Sequence, residues 1–204
     1  MNLPNKLTLF RIIMIPVFIF FSAEISGPVS EVFGRFGADG FVAAFNRFTA
    51  GTGQIIAGVV FVVAFATDAL DGYIARKYNL VTDFGIFLDP IADKLLVAAA
   101  LIVLCSRGIT GVWIPVIIIS REIIVTGLRL LAVNKGIVLA AGGFGKAKTV
   151  TQFVSLTLLL FNNFNIAPLR AVNAGLILLY AAFVITVLSG ADYLFKNREL
   201  LKTR

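Results

Sequence analysis

The sequence predicts an all-α integral membrane protein of one domain, residues 1–204, in which six transmembrane helices follow an amphipathic interfacial helix. Hydrophobic residues make up 59% of the chain and charged residues 14%, whereas soluble domains have roughly 45–50% and 25%. Several apolar stretches approach the length of about 20 residues that crosses a bilayer, and short polar breaks separate them. Most of the eighteen Lys and Arg residues lie at alternate breaks, as cytoplasmic loops require.

Each predicted element follows from its pattern. Residues 1–11 place Leu3, Leu7 and Phe10 on one side of a helix, which suits a helix lying in the membrane interface. The first span follows at 12–23. Residues 24–53 form an uncertain connection rich in glycine, with room for a short helix at 41–48. Five more spans are predicted at 55–75, 85–104, 111–132, 149–161 and 172–188. An even count puts both basic termini on one side, in the cytoplasm.

The composition also excludes several kinds of chemistry. The chain has no histidine and one cysteine, Cys105, so a disulfide, a zinc-thiolate site or a histidine base is excluded. The net charge of +7 is explained by topology and attraction to anionic lipid rather than by nucleic acid. Catalysis in this chain must therefore use carboxylates, Lys, Arg, Tyr, Ser or Thr.

Four aspartates interrupt the second and third predicted spans. Asp68 and Asp71 share one helix face, as do Asp89 and Asp93, and a short loop brings both pairs to the same membrane side. Each costs about 3 kcal/mol inside a bilayer, and together they repel unless cations neutralise them. Oxygen ligands alone select Mg²⁺ or Mn²⁺, and two such ions clamp a phosphate. A path for ions or protons is the alternative.

Residues 68–93 read D-x-x-D-G-x-x-A-R-x8-G-x3-D-x3-D, which resembles the signature of CDP-alcohol phosphotransferases. The resemblance implies a six-span, usually dimeric enzyme of the cell's inner membrane that faces the cytoplasm and releases CMP from a CDP-linked lipid. It implies two divalent ions on Asp68, Asp71 and Asp89, with Asp93 as general base and further ligand. The CDP-lipid would contact Asp68, Gly72, Ala75, Arg76, Thr82 and Gly85, where small residues expose backbone and Arg76 offers a fork of donors.

The likeness extends to phosphatidylglycerophosphate synthases within that family, through residues 2–8 with Arg11, 121–122, 127–129, 145–149, Gln152, 189–190 and Tyr193. It implies CDP-diacylglycerol as donor and sn-glycerol 3-phosphate as acceptor. Inositol phosphate, serine and phosphatidylglycerol remain alternative acceptors.

An acceptor that carries its own phosphate requires further cations. Arg121 and Arg129 are eight residues apart and share a helix face about two turns apart. Arg121 lies inside the fourth span and must find an anion. Glu122 is predicted to be a poor partner, because adjacent residues point in different directions. Acceptor phosphate is favoured as the partner of Arg121, with a structural ion pair, for example to a site aspartate, as the alternative. Lys135, Lys146 and Lys148 either assist or simply set topology.

Overall fold

The computed structural model describes residues 2–78, 83–134, 143–162 and 166–198, and a few of these, including Asp71, Ala75 and Arg76, only in their backbone. Every regular element in this part of the chain is helical. In chain order they are α1 (Leu3–Ser22), α2 (Pro28–Arg35), α3 (Asp39–Phe48), a π-helix (Thr49–Gly53), α4 (Gln54–Lys77), α5 (Asp83–Ser106), α6 (Trp113–Asn134), α7 (Gly143–Leu160), α8 (Ala167–Ala171) and α9 (Ala174–Lys196). The long helices α1, α4, α5, α6, α7 and α9 overlap the six predicted spans.

Three helical stretches within the described ranges are long and apolar enough to cross a membrane: Asn5–Ser22, Asp39–Asp68 and Ala174–Lys196. The apolar stretches of α5 and α6 are interrupted by charged residues, Asp89, Asp93 and Lys94 in α5 and Arg121, Glu122 and Arg129 in α6. Exposed apolar side chains such as Phe20, Val59 and Val184 cover the outside of the apolar helices, as lipid-facing surfaces do. The fold is that of a helical membrane protein, and the count of six crossings remains a prediction.

Helix α1 differs from its prediction. Residues 3–22 form one continuous helix with Pro16 inside it, so the separate interfacial helix predicted for residues 1–11 is wrong. No breaker separates Arg11 from Ile12, and Thr8 and Arg11 are buried against neighbouring helices. The first turns are therefore part of the packed bundle, which also supplies the length that the first span lacked.

Residues 1–109 form the first of two compact units. In it, α1 packs against both α4 and α5. Phe18 of α1 and Phe61 of α4 are buried with ring centroids 6.1 Å apart. Alanines at buried positions of α4 and α5, among them Ala64 and Ala92, let the helix backbones approach closely, as is common in membrane helix pairs.

The opposite end of this unit from the aspartates is held by Arg107, which follows α5. Its Nη2 donates to the carbonyl oxygens of Ser22 at 2.6 Å and Thr49 at 2.9 Å, and Glu24 lies 3.7 Å from Nε. The guanidinium thereby caps the end of α1 and joins it to the π-helix. The short helix predicted at 41–48 is confirmed as α3, and α2 was not predicted.

Residues 110–204 form the second unit, in which α9 packs against α6 and α7. Leu156 and Leu160 of α7 and Leu179 of α9 are fully buried. Ser155 Oγ of α7 donates to the Gly175 carbonyl of α9 at 2.9 Å, a polar contact between helices inside an apolar region.

Candidate active site

Aspartates from α4 and α5 meet at one arginine of α1. Arg11 has no solvent exposure, and its Nη1 donates to Asp93 Oδ1 at 2.6 Å and lies 2.9 Å from Asp68 Oδ1. The distance between these two carboxylate oxygens therefore cannot exceed the sum of their two distances to Nη1. The predicted convergence of acids from both helices is present for this pair.

The third described acid is held one helical turn earlier on α1. Thr8 Oγ1 donates to Asp89 Oδ1 at 2.5 Å. Thr8 and Arg11 are three residues apart and so share a face of α1, while Asp89 and Asp93 share a face of α5. One polar stripe of α1 therefore contacts Asp89 and Asp93 of α5 and Asp68 of α4.

Sequence reasoning included Thr8 and Arg11 in the family likeness but gave neither residue a role in the site. A usable signal was present: an arginine directly before an apolar run must pair with an anion if it is buried, and the chain has few acids to offer. Its partners Asp68 and Asp93 lie on two other helices, Asp93 at a separation of 82 positions, so they cannot be read from local spacing.

The remaining donor-side residues are described less fully. Gly72 lies in α4 one position after Asp71, and Gly85 is buried in the first turn of α5. Thr82 and the side chains of Asp71, Ala75 and Arg76 lie outside the described parts of the structure. Their predicted contacts with the CDP-lipid stay predictions.

The donor set suits a hard divalent ion. Asp68, Asp89 and Asp93 offer oxygen ligands only, the type that Mg²⁺ and Mn²⁺ prefer. Among the described side chains, no three acidic, His or Cys residues already form a ligand cluster, and the guanidinium of Arg11 lies between Asp68 and Asp93. A carboxylate has about four lone-pair positions, so a contact with Arg11 or Thr8 does not use its whole capacity.

The second unit contains a buried ionic cluster on α6, α7 and α9. Glu122 Oε1 accepts from Lys148 Nζ and lies 3.3 Å from Arg121 Nη1, and Arg121 Nη2 donates to Ser189 Oγ at 2.9 Å. The prediction that Glu122 is a poor partner for Arg121 is wrong, because long side chains can bend toward each other even when their Cβ atoms diverge. Lys148 is buried as well.

Arg121 and Arg129 share a face of α6, as predicted, and both contact residues of α9. The Arg129 guanidinium lies 5.7 Å from the centre of the Tyr193 ring. Tyr193 is one turn of α9 beyond Ser189, which Arg121 contacts. Five buried side-chain polar atoms of this unit have no hydrogen-bond partner among the described residues, and three of them are Arg121 Nε, Gln152 Nε2 and Tyr193 Oη. They are available to an anionic ligand. Lys135 and the side chain of Lys146 lie outside the described parts.

Apolar helices with a group of aspartates and an arginine between them are typical of a membrane protein that binds a charged ligand. Comparison with known proteins identifies the family. Residues 1–188 match the CDP-alcohol phosphatidyltransferase family. The chain belongs to that family, as the aspartate pattern predicted, and divalent metal use is a general property of the family.

Several curated relatives align with most of the chain. A Bacillus subtilis protein named CDP-diacylglycerol–glycerol-3-phosphate 3-phosphatidyltransferase is 44% identical, with 99% of this chain and 98% of that protein aligned. A Mycobacterium tuberculosis protein named probable phosphatidylglycerophosphate synthase is 36% identical over 94% of this chain and 79% of its own length. A rice protein named cardiolipin synthase (CMP-forming) is 39% identical over 70% of this chain and 48% of its own length.

Proposed function

We propose that this protein transfers the phosphatidyl group of CDP-diacylglycerol to sn-glycerol 3-phosphate, giving phosphatidylglycerophosphate and CMP. The single structural observation that carries the proposal is the meeting of Asp68, Asp89 and Asp93 on the polar stripe of α1. Acids from two helices at one place suit a diphosphate neutralised by divalent ions. The printed names of the full-length relatives supply the substrate pair.

The reaction exchanges one phosphorus–oxygen bond for another. The acceptor hydroxyl attacks the phosphorus next to diacylglycerol, the anhydride bond to the CMP phosphate breaks, and CMP leaves with that bond's electron pair. Two divalent ions, Mg²⁺ or Mn²⁺, would neutralise the charge of the diphosphate. The residues that would hold them are Asp68, Asp71, Asp89 and Asp93.

Asp93 is the proposed general base and accepts the proton of the attacking hydroxyl at a carboxylate oxygen. Arg11 orients that carboxylate through Oδ1, so one face of the group is fixed. Positioning rather than strong basicity would then make the proton transfer efficient. Arg11 and Thr8 are positioning residues in this scheme.

The cluster of the second unit is the proposed binding site for the acceptor's phosphate. Arg121, Arg129 and Lys148 provide three cations, and among their described contacts Glu122 neutralises only one charge. The unpartnered donors of Arg121, Gln152 and Tyr193 add hydrogen bonds that a phosphate could accept. Lys135 and Lys146 remain predicted helpers.

The proposed setting is the cell's inner membrane, crossed six times, with both termini and the aspartates on the cytoplasmic side. The cytoplasm is where a soluble, charged acceptor and the leaving CMP would be exchanged. The basic residues at both chain ends support this orientation. A homodimer, expected from the family resemblance, stays a prediction.

A different acceptor is the specific alternative, since the rice relative's name points to a CMP-forming synthase of cardiolipin. The test is purified protein with CDP-diacylglycerol and Mg²⁺, offered glycerol 3-phosphate, phosphatidylglycerol, inositol phosphate or serine in turn, with CMP measured. We expect CMP only with glycerol 3-phosphate. Release of CMP with phosphatidylglycerol and none with glycerol 3-phosphate would overturn the proposed acceptor.

A further inference from the structure

We propose that α2 and α3, residues 28–48, form a helical arm whose apolar face is embedded in the lipid of the outer leaflet. Sequence analysis left residues 24–53 without a role. The position of this arm and its contact with lipid do not depend on the reaction, and only the length of the bundle is judged from the proposed location of the aspartates.

Helix α2 has two contrasting faces. Val29, Val32 and Phe33 recur at a spacing of three and four residues and continue into Phe36, so they form one stripe. Val32 is 50% exposed and Phe36 is 84% exposed. Glu31 and Arg35 lie on the opposite side of the helix. A continuous row of large exposed apolar side chains is unfavourable in water. Lipid can cover such a row without a complementary shape.

Helix α3 extends this apolar surface. Phe41 lies 6.0 Å from Phe33 of α2 and 6.1 Å from Phe45, measured between ring centroids. Arg47 and Asp39 are on other sides of α3. The rings of both helices thus form one aromatic surface rather than two separate patches.

The same surface is continuous with the outside of a transmembrane helix. Phe45 of α3 lies 5.6 Å from Phe20 of α1, and Phe20 is 58% exposed within the candidate span Asn5–Ser22. A residue on the lipid-facing side of α1 is therefore in ring contact with the arm. Lipid that covers Phe20 reaches the arm without crossing a polar boundary.

The arm is attached firmly enough to hold a fixed position. Asn46 of α3 accepts from the Ile25 amide at 2.8 Å and donates to the Ile25 carbonyl at 2.9 Å. Arg107 ties Thr49, just after α3, to the end of α1. The exposed face therefore belongs to an ordered element and not to a loose loop.

The length of the bundle supports embedding, and this step rests on the proposed location of the aspartates at the inner border of the hydrocarbon. From Arg11 to the end of α1 is eleven residues, about 17 Å. The stretch Asp39–Asp68 is kinked at Gly51, where φ and ψ are both −106°, so α3 and α4 are not one straight helix. From Gly53 to Asp68 is fifteen residues, about 23 Å. Both fall short of the roughly 30 Å of a bilayer core. A helix lying flat, about 10 Å wide, makes up the difference.

The test measures the depth of four single labels. Cys105 is the only cysteine, so Cys105→Ala gives a background for Val32→Cys and Phe41→Cys on the apolar face, and for Glu31→Cys and Arg47→Cys as matched controls. Each is labelled with a nitroxide and reconstituted in vesicles of phosphatidylcholine and phosphatidylglycerol. Relaxation by oxygen, which concentrates in hydrocarbon, is compared with relaxation by a water-soluble nickel chelate present on both sides.

We expect the ratio of oxygen to nickel effect to be several-fold higher at positions 32 and 41 than at 31 and 47. Equal nickel access at all four positions would place the arm in water and overturn the proposal. Protection of positions 32 and 41 from both reagents would also overturn it, because protein, such as a second copy, would then cover the face. CMP formation in the same vesicles reports on the proposed function separately.

Discussion

At the scale of single residues, Arg11 decides how the acids of the site are arranged. A fully buried guanidinium beside two partly exposed carboxylates offsets part of the repulsion between them. Its planar fork also fixes the direction from which each carboxylate is approached, which an ammonium group does less well. Arg11 thus has both an electrostatic and a geometric effect on Asp68 and Asp93.

We expect Arg11→Gln to lower the rate of CMP release about a hundredfold, because a misplaced reacting group costs a factor of that order. Arg11→Lys keeps the charge and should retain more activity than Arg11→Gln. The measurement is CMP release at saturating substrates, with detergent gel filtration to verify folding. Wild-type rates in both variants would show that Arg11 does not position the acids.

Gly190 gives a direct test of Arg121. A Cβ atom added at Gly190 would lie 2.9 Å from Arg121 Cγ, whereas one added at Gly127 of α6 meets nothing within 4 Å. Gly190→Ala should therefore displace Arg121 from Ser189 and raise the KM for glycerol 3-phosphate about tenfold, the cost of one charged hydrogen bond. Gly127→Ala is the matched control and should leave it unchanged. An unchanged KM in Gly190→Ala would show that Arg121 does not bind the acceptor.

Sequence alone predicted the acids better than the cations. The spacing of Asp89 and Asp93 fixes a shared helix face, and a short connection between α4 and α5 brings the partner pair to the same end. The role of Arg11 in the site was not predicted, because its contacts depend on how α1 packs, which no local pattern encodes. Glu122 was misjudged because Cβ directions were used for side chains long enough to turn back.

At the scale of elements, the end of α1 meets the start of α4 almost backbone to backbone. A Cβ at Gly53 would lie 2.7 Å from the Phe21 carbonyl oxygen and 3.0 Å from that of Phe48. Neither atom can rotate away as a side chain could. The close approach lets the π-helix fold back over α1, so that Arg107 reaches both Ser22 and Thr49.

Gly53→Ala is accordingly expected to destabilise the protein by about 1–3 kcal/mol, the usual cost of overpacking. Gly40→Ala in α3, where an added Cβ meets nothing within 4 Å, is the control and should be neutral or slightly stabilising. Thermal unfolding of the purified protein in detergent measures both. Equal unfolding temperatures for the two variants would contradict the close contact.

The helices themselves were largely predictable, and the exceptions have physical causes. Six long apolar stretches gave six long helices because burial and length fix them. Helix α2 was not predicted because it lies in a connection rich in glycine. Gly27 has a positive φ of 61° as N-cap and Pro28 begins the helix, where proline is favoured. Gly37, with φ 71°, follows its end as helix-terminating glycines do.

At the scale of the whole molecule, the proposed ions would join helices that the sequence separates. Asp68 belongs to α4 and Asp89 and Asp93 to α5, so an ion held by both helices binds the folded protein and not the unfolded chain. Binding to the folded state alone raises stability by about 2.7 kcal/mol at a hundredfold excess over Kd. Metal should therefore be visible in unfolding as well as in activity.

We expect a chelator to abolish CMP release, Mg²⁺ or Mn²⁺ to restore it, and either ion to raise the unfolding temperature of the wild-type protein by several degrees. Asp89→Asn should lose most of that rise, while its amide oxygen can still accept the Thr8 hydrogen bond, so the metal-free protein stays folded. Asp192→Asn changes an exposed acid paired with Lys196 and should keep the full rise. A metal-induced rise in Asp89→Asn equal to that of Asp192→Asn would show that the ions bind elsewhere.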